Sequence, residues 1–357
     1  MESTSQLRPS PAPTALAPMQ NVTDLAFMQV VSQLGGPPDY FFTEYFSVHC
    51  HTHLDPAILR SITENQTGQP VYAQILGNQF AFLQEAAIRL LQYPVAGIDL
   101  NLGCPAPKVY KRNAGGGLLR HPGETIEMVA RLRDTIPGSF SVKMRTGFEH
   151  TDHFSQLLEA FSKLGLDFLT VHGRTVADGY RAPVRYDLIR QAVEAMPCPV
   201  YANGNISSAS RAREILQKTG AYGLMIGRAA IRNPWIFRQI REDLSGITPF
   251  APTLEDVFTY IELLHQAKSL PEVPEIHRIA HLKRYLVFIG EGVDPEGAFL
   301  NAIRRARTRE DCFSICETWL KAADRRHLFF PPEPFEGVIA RPNQEGPVPN
   351  SCSAHVP

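Results

Sequence analysis

Val95-Ala96-Gly97-Ile98-Asp99-Leu100-Asn101-Leu102-Gly103-Cys104-Pro105 is an apolar run that stops at a cysteine set between glycine and proline. Pro105 fixes its own φ and lacks an N–H donor, so neither a helix interior nor a central strand passes through this point. The run Val95 to Leu102 therefore reads as a buried strand with Cys104 at its C-terminal lip. In α/β proteins that lip is where loops gather around a ligand.

Similar apolar runs recur on both sides of this one, centred near Ala17, Phe41, Ala73, Ile98, Val142, Leu169, Tyr201 and Met225. Amphipathic stretches separate them, with helical spacing at Ala86, Leu90 and Leu91, at Ile126, Val129, Ala130 and Leu132, and at Leu157, Leu158, Phe161 and Leu164. Strand–helix alternation repeated eight times over about 230 residues predicts an α/β fold, a (β/α)8 TIM barrel. An open doubly wound sheet would carry a glycine fingerprint after its first strand, and Met19-Gln20-Asn21-Val22-Thr23-Asp24 has none. Beyond about Ser245 the strands cease. Leu254 to Ser269, Ile276 to Ile289, Pro295 to Arg307 and Arg309 to Ala323 read as helices. The expected organisation is a disordered tail over 1–13, a barrel catalytic domain over 14–245, a helical domain over 250–330 and a disordered or loosely draped tail over 331–357.

The 357 residues are 44% hydrophobic and 20% charged with a formal net charge of -1, the balance of a soluble enzyme with one large domain and a second small one. Cys50, Cys104, Cys198, Cys312, Cys316 and Cys352 are irregularly spaced, so a reduced cytoplasmic protein is expected rather than a disulfide framework. No secretory leader or Arg-rich transit peptide is expected, and no apolar run approaches the roughly 18 residues of a membrane span. With global charge near zero, a nucleic-acid partner has to be met by a local basic patch. His49-Cys50-His51-Thr52-His53 crowds ligand-type residues together, but consecutively rather than at zinc spacing, so no metal site is expected.

A barrel brings its strand ends to one mouth. Those ends are Met19 and Gln20, Glu44, Gln74, Asn101 with Cys104, Lys143 with Arg145, His172, Asn203-Gly204-Asn205 and Gly227-Arg228, and nearly all are polar. The last two have the composition of a barrel phosphate site, where backbone N–H groups and a helix N-terminus meet an anion. The same composition also serves an ordinary βα turn. Gly115-Gly116-Gly117 matches neither a Walker loop nor a dinucleotide fingerprint.

Ala17-Pro18-Met19, Asp99 to Pro105, Val142-Lys143-Met144-Arg145, Val171-His172-Gly173-Arg174-Thr175, Ala202-Asn203-Gly204-Asn205-Ile206 and Met225-Ile226-Gly227-Arg228-Ala229-Ala230 resemble the tRNA-dihydrouridine synthases, in that family's order. The resemblance covers roughly Leu16 to Leu244, and more loosely the helical region from about Leu254 to Leu328. Phe42-Thr43-Glu44-Tyr45, Asp178-Gly179-Tyr180-Arg181-Ala182 and Ala280-His281-Leu282-Lys283-Arg284-Tyr285-Leu286 look most like the synthase C branch, which modifies uridine 16.

The resemblance implies reduction of the uracil C5=C6 bond in the tRNA D-loop. FMN is the tightly bound cofactor, NADPH the reductant, and hydride passes from FMNH2 to C6. Cys104 matches the family's donor of the proton to C5, and a thiol of ordinary pKa is protonated at neutral pH where a carboxylate is not. Lys143 matches the flavin-contacting lysine. Pro18 and Met19 would line the ring (Met19 also reads as a core filler), Gln74 would bond its polar edge, and Asn203, Gly204, Asn205, Gly227 and Arg228 would hold the phosphate. His172 and Asn101 would lie between flavin and uracil. Arg145 would reach the nucleotide, or form a surface salt bridge. The glycines at 115–117 would hinge the cysteine loop.

In the helical region Arg278, Lys283, Arg284, Arg304, Arg305 and Arg307 are the expected RNA contacts. Glu310, Asp311, Glu317 and Asp324 are interspersed nearby, so the same residues also describe a solvated helix face. A monomer is expected. The alternatives are the same chemistry at another tRNA position or on rRNA, a small-molecule flavin ene-reductase of the dihydroorotate dehydrogenase type, and a catalytically silent RNA-binding protein.

Overall fold

The computed structural model describes residues 11–50, 53–268 and 273–344. Within 11–250 the apolar runs form parallel strands: β1 (Thr14–Leu16), β2 (Tyr40–Phe42), β3 (Phe46–Ser47), β4 (Val71–Leu76), β5 (Gly97–Leu102), β6 (Phe140–Arg145), β7 (Phe168–His172), β8 (Val200–Asn203) and β9 (Gly223–Ile226). Each strand pairs with its neighbour from β4 through β9. The sheet closes because β9 pairs with β1, β1 with β2, and β2 with β4. The expected eight-stave barrel is therefore present, with one stave in two pieces. β2 meets the start of β4, β3 meets its end (Phe46 opposite Ile75), and Thr43-Glu44-Tyr45 interrupts them. Thr43 Oγ1 accepts from the Gln74 N–H at 3.1 Å, so the interruption stays tied to β4.

Helices return the chain between strands, and local sequence sets their starts. Asp24, Asp55 and Ser208 each accept a backbone N–H of the first turn, and Pro56 and Pro122 occupy first-turn positions.

At one end of the barrel interior Phe42, Tyr72, Phe168 and Tyr201 make a floor of rings. Phe42 stacks on Tyr72 at 5.2 Å, and Phe168 meets Tyr72 edge-on at 5.1 Å. Gly97 makes room for that floor, since a Cβ there would lie 2.6 Å from both Tyr72 Cε1 and the Ser139 carbonyl oxygen. Gly97→Ala is expected to destabilise the protein by about 2–3 kcal/mol in denaturant titration, because backbone and ring cannot both retreat. A wild-type midpoint would mean the floor yields. The next interior positions along the strands are polar, with Gln74 beside Asp99 and Asp99 beside Ser141.

The chain divides into two compact units. The second comprises Ala251 onward together with Gly179–Pro183 and Ile231–Asn233, so these two segments group outside the unit to which the expected 14–245 boundary assigns them. Its helices are Leu254–Lys268, Glu275–Ile289, Ala298–Arg305 and Arg309–Cys316, continued by a wide turn over Glu317–Lys321. Thr308 and Asp311 form a reciprocal capping box at the start of the fourth.

The expectation of a disordered 331–357 tail fails for its described part. Arg232 donates to the Pro331, Pro332 and Glu333 carbonyls, Phe335 N–H bonds the Glu291 carbonyl, and Ala340 N–H bonds the Glu291 carboxylate. Prolines cannot pair as a sheet, so side chains satisfy this segment's carbonyls instead. Residues 345–357, and 1–10 of the other expected tail, lie outside the described residues. No helix among the described residues is long and apolar enough to cross a membrane.

Candidate active site at the barrel mouth

Cys104 follows β5, as the sequence requires, and is part-buried. With Tyr45 and Ala106 it packs on Leu76, Val109 and Ala114. Asn101 Oδ1 accepts the backbone N–H groups of Gly103 (3.0 Å) and Cys104 (2.9 Å), and the Cys104 carbonyl accepts from Gly116 N–H. Burial pushes the Cys104 thiol up, against the pull of Arg145, Lys143 and Lys108, so it is protonated at neutral pH.

Gly115-Gly116-Gly117 is not the open hinge expected of it. The three glycines are buried in a short 3-10 turn, Gly115–Arg120. A Cβ on Gly116 would lie 2.4 Å from Val176 Cγ2 and 2.9 Å from the Cys104 carbonyl oxygen, and one on Gly117 would lie 2.7 Å from the Tyr110 carbonyl oxygen. Glycine is required there because chain packs against chain beneath the cysteine.

Four cations meet on His172. Arg145, Lys143, Arg174 and Arg228 all hold its pKa down, after burial, which contributes most. Arg174 Nη1 lies 3.2 Å from His172 Nε2. A guanidinium only donates, so Nε2 accepts and the imidazole is neutral with its proton on Nδ1. Arg174 is itself lowered to about 10 by burial and by Arg228. Lys143, lowered to about 8 by burial and Arg145, donates to Asn203 Oδ1 at 3.2 Å. Asp99, fully buried and pushed up to about 7 by desolvation, is the carboxylate that pulls Lys143 the other way. An excess of positive charge in so little solvent is a site made for anions.

Several expected roles change in this geometry. Gln74 has no exposed surface. Its Nε2 donates to Asp99 Oδ2 at 2.7 Å and its Oε1 accepts from Asn101 Nδ2 at 2.8 Å, so the amide is spent on protein rather than offered to a cofactor edge. Asn101, expected between flavin and uracil, is likewise committed at both ends of its amide. Arg145 forms no surface salt bridge. It is 2% exposed and clasps the Gly103 carbonyl (Nε, 3.0 Å) and the Thr175 carbonyl (Nη1, 2.7 Å), which ties the cysteine loop to the loop after β7. Asn203 is held by Lys143 and by the Met225 carbonyl (2.7 Å), which removes its side chain from the expected phosphate contacts.

Gly204 (φ 119) and Asn205 (φ 50) turn the chain tightly after β8, and Asn205 Oδ1 receives Arg174 Nη2 at 3.3 Å. Pro18 and Met19 are part-buried, and Gly227 stands beside Met19, where a Cβ would lie 3.5 Å from its sulfur. The sequence reading assigned no role to Tyr45, Arg174 or Asp99. The nearest signal was their place in quoted motifs beside the strand ends.

In the second unit, Lys283 donates to the Arg304 (2.9 Å) and Ala306 (2.7 Å) carbonyls, closing the end of the helix Ala298–Arg305. Arg304 donates to the Ile339 and Ala340 carbonyls. Both residues thus make structural ties within the second unit. Arg278 and Arg284 are part-buried, with Arg278 Nε and Arg284 Nη1 buried and without a hydrogen-bond partner among the described residues, and Arg305 and Arg307 are exposed.

The mouth fits the flavin mononucleotide that the sequence resemblance implies. Its phosphate and its reduced ring are both anionic; Lys143 bonds Asn203 at the end of β8, Arg174 bonds Asn205 in the turn after it, and Arg228 lowers the pKa of both His172 and Arg174. No group of three or more metal-ligating side chains occurs among the described residues; His51 and Thr52 of the histidine cluster lie outside them.

Residues 15–311 match the family model Dihydrouridine synthase (Dus). The tRNA-dihydrouridine(16) synthase of Shewanella oneidensis is 28% identical over 312 residues, 85% of this chain and 96% of that protein. A probable tRNA-dihydrouridine synthase of Helicobacter pylori is 37% identical over 236 residues, 65% of this chain and 71% of its own. The tRNA-dihydrouridine synthase B of Pseudomonas aeruginosa is 33% identical over 279 residues, 77% and 78% of the two chains. With its model match running from β1 into the fourth helix of the second unit, the chain belongs to the dihydrouridine synthase family.

Proposed function

We propose that this chain reduces the C5=C6 bond of uridine 16 in the tRNA D-loop, with FMN as bound cofactor and NADPH as reductant, acting as a monomer in the cytoplasm. The observation that carries this reading is a protonated thiol, Cys104, at the mouth of a barrel whose cations converge on a neutral histidine. A bound flavin supplies the hydride that reaches C6. The chain's own groups then deliver a proton to C5 and hold the charges in place. Cys104 donates that proton, since its raised pKa keeps it an acid at neutral pH. Lys143, fixed by Asn203, would hold the electron-rich edge of a reduced flavin, and Arg174 and Arg228, with Gly204, Asn205 and Gly227, would hold its phosphate. Pro18 and Met19 would line its ring. His172 offers a neutral donor to a uracil carbonyl.

The near full-length match to a relative named for position 16 supports that position. The higher identity to a synthase B relative makes another D-loop uridine the second reading. Mapping dihydrouridine in RNA from cells with and without the gene separates them. Loss at tRNA position 16 is the expected result. Loss elsewhere in tRNA favours the second reading, and loss only in rRNA removes tRNA as substrate.

Lys143 also gives the flavin site a pH dependence. Its folded pKa of about 8 lies below the ordinary lysine value, so its charge is lost as pH rises through 8. FMN affinity of the flavin-free protein is expected to fall roughly tenfold between pH 7 and pH 9, and Lys143→Met to flatten that dependence while weakening binding. A flat wild-type profile in fluorescence titration would take Lys143 out of the flavin site.

A further inference from the structure

We propose that Asp99 is a positioning residue for Cys104, acting through a line of hydrogen bonds whose direction it fixes. Asp99 lies in the barrel interior, fully buried, two residues before Asn101 on the same strand. Ser141 Oγ donates to its Oδ1 at 2.6 Å and Gln74 Nε2 to its Oδ2 at 2.7 Å. From there Asn101 Nδ2 donates to Gln74 Oε1 at 2.8 Å, and the Gly103 and Cys104 N–H groups donate to Asn101 Oδ1. Every donor in this line points back toward the carboxylate.

An amide presents oxygen on one arm and NH2 on the other, so each member constrains the next. Asp99 Oδ2 accepts from Gln74 both in the ionised group and with a proton on Oδ1 toward Ser141, which commits Gln74 to turn its NH2 toward Asp99 and its oxygen toward Asn101. That in turn commits Asn101 to turn its NH2 toward Gln74 and its oxygen toward the cysteine loop. Reversal would set the Gln74 oxygen against a carboxylate and the Asn101 NH2 against two backbone N–H groups, in a buried layer where unmet polar groups are costly. The aromatic floor lies at the neighbouring strand positions, Tyr72 and Gly97, on the side away from Asn101. Asp99 thus reaches the thiol's backbone from a position with no exposed surface.

The test inverts the line and then restores it. In Asn101→Asp the new carboxylate still accepts the loop N–H groups with one oxygen, but its other oxygen faces an oxygen of Gln74, and Gln74 cannot turn without facing Asp99. Adding Asp99→Asn supplies an NH2 at the far end, so Gln74 can turn and every group is satisfied again. The readout is the rate of Cys104 alkylation by iodoacetamide in the flavin-loaded protein, followed on the Cys104 peptide by mass spectrometry.

Asn101→Asp is expected to raise that rate by about tenfold, the equivalent of one lost buried hydrogen bond, and the double variant to return it to within about threefold of wild type. A carboxylate needed only for folding would not be rescued by moving it. A wild-type rate in Asn101→Asp, or a double variant as fast as the single, overturns the proposal. Should Asn101→Asp not fold, Gln74→Met, which breaks the line at similar length, is expected to accelerate alkylation, and an unchanged rate there overturns the proposal equally. The inference rests on reading Cys104 as the proton donor, but the alkylation rates measure the loop and not the reaction. Failure of that reading shows instead as an active Cys104→Ala enzyme.

Discussion

Cys104→Ala is expected to lower uridine reduction by about 10²- to 10⁴-fold while flavin binding and flavin reduction by NADPH stay within about twofold of wild type. The split follows from where the thiol sits. Its loop is held by main-chain groups, the Gly103 and Cys104 N–H groups on Asn101 and the Gly103 carbonyl on Arg145, and Arg145 and the other cations around His172 have no hydrogen bond that depends on the sulfur. Removing one sulfur leaves the cations and their partners untouched. The replaced side chain is small and its neighbours Leu76, Val109 and Ala114 are apolar, so folding should tolerate the change. Stopped-flow flavin spectra separate the two half-reactions. A variant that reduces tRNA at the wild-type rate would show that C5 takes its proton elsewhere, with Tyr45, packed on the same cluster as Cys104 and its pKa pushed up to about 12, another acid to test.

Replacing Arg278, Arg284, Arg305 and Arg307 together with Ala is expected to weaken tRNA binding by about a hundredfold near 0.1 M salt. The slope of log affinity against log salt should become shallower by about 3, at roughly 0.7–0.9 for each phosphate left unneutralised. These four are chosen by structure. Lys283 and Arg304 are spent on main-chain carbonyls, and changing them would loosen the second unit instead of uncovering a phosphate. Flavin absorbance of the fourfold variant should match wild type, because none of the four lies in the barrel unit. An unchanged salt slope in fluorescence anisotropy would place the RNA contacts elsewhere.

The barrel was legible because apolar runs are a local property. Their centres fell in or beside the observed strands, and only the two-piece stave went unread, since Thr43-Glu44-Tyr45 holds its place through a hydrogen bond to β4 rather than through composition. Cys104 was legible for the same reason, because Gly103 and Pro105 end a strand wherever they occur. The glycine run was misread as a hinge because sequence records the absence of a side chain and not the Val176 and Tyr110 atoms that require it. Pro331 to Gln344 looked unstructured because its partners Arg232, Glu291 and Arg304 lie far back in the chain.

Spacing within a few residues was enough to dictate the closed barrel, the helical unit after it and the set of polar residues that end the strands. Which groups those residues bond was decided by the folded molecule. Gln74 meets Asp99 across 25 positions, Asn101 meets Gln74 across 27, Ser141 meets Asp99 across 42 and Lys143 meets Asn203 across 60. A hydrogen bond's direction and a lysine's pKa are set by whichever groups the fold brings within about 3 Å. Barrel closure and register choose those groups, and no local pattern encodes the choice.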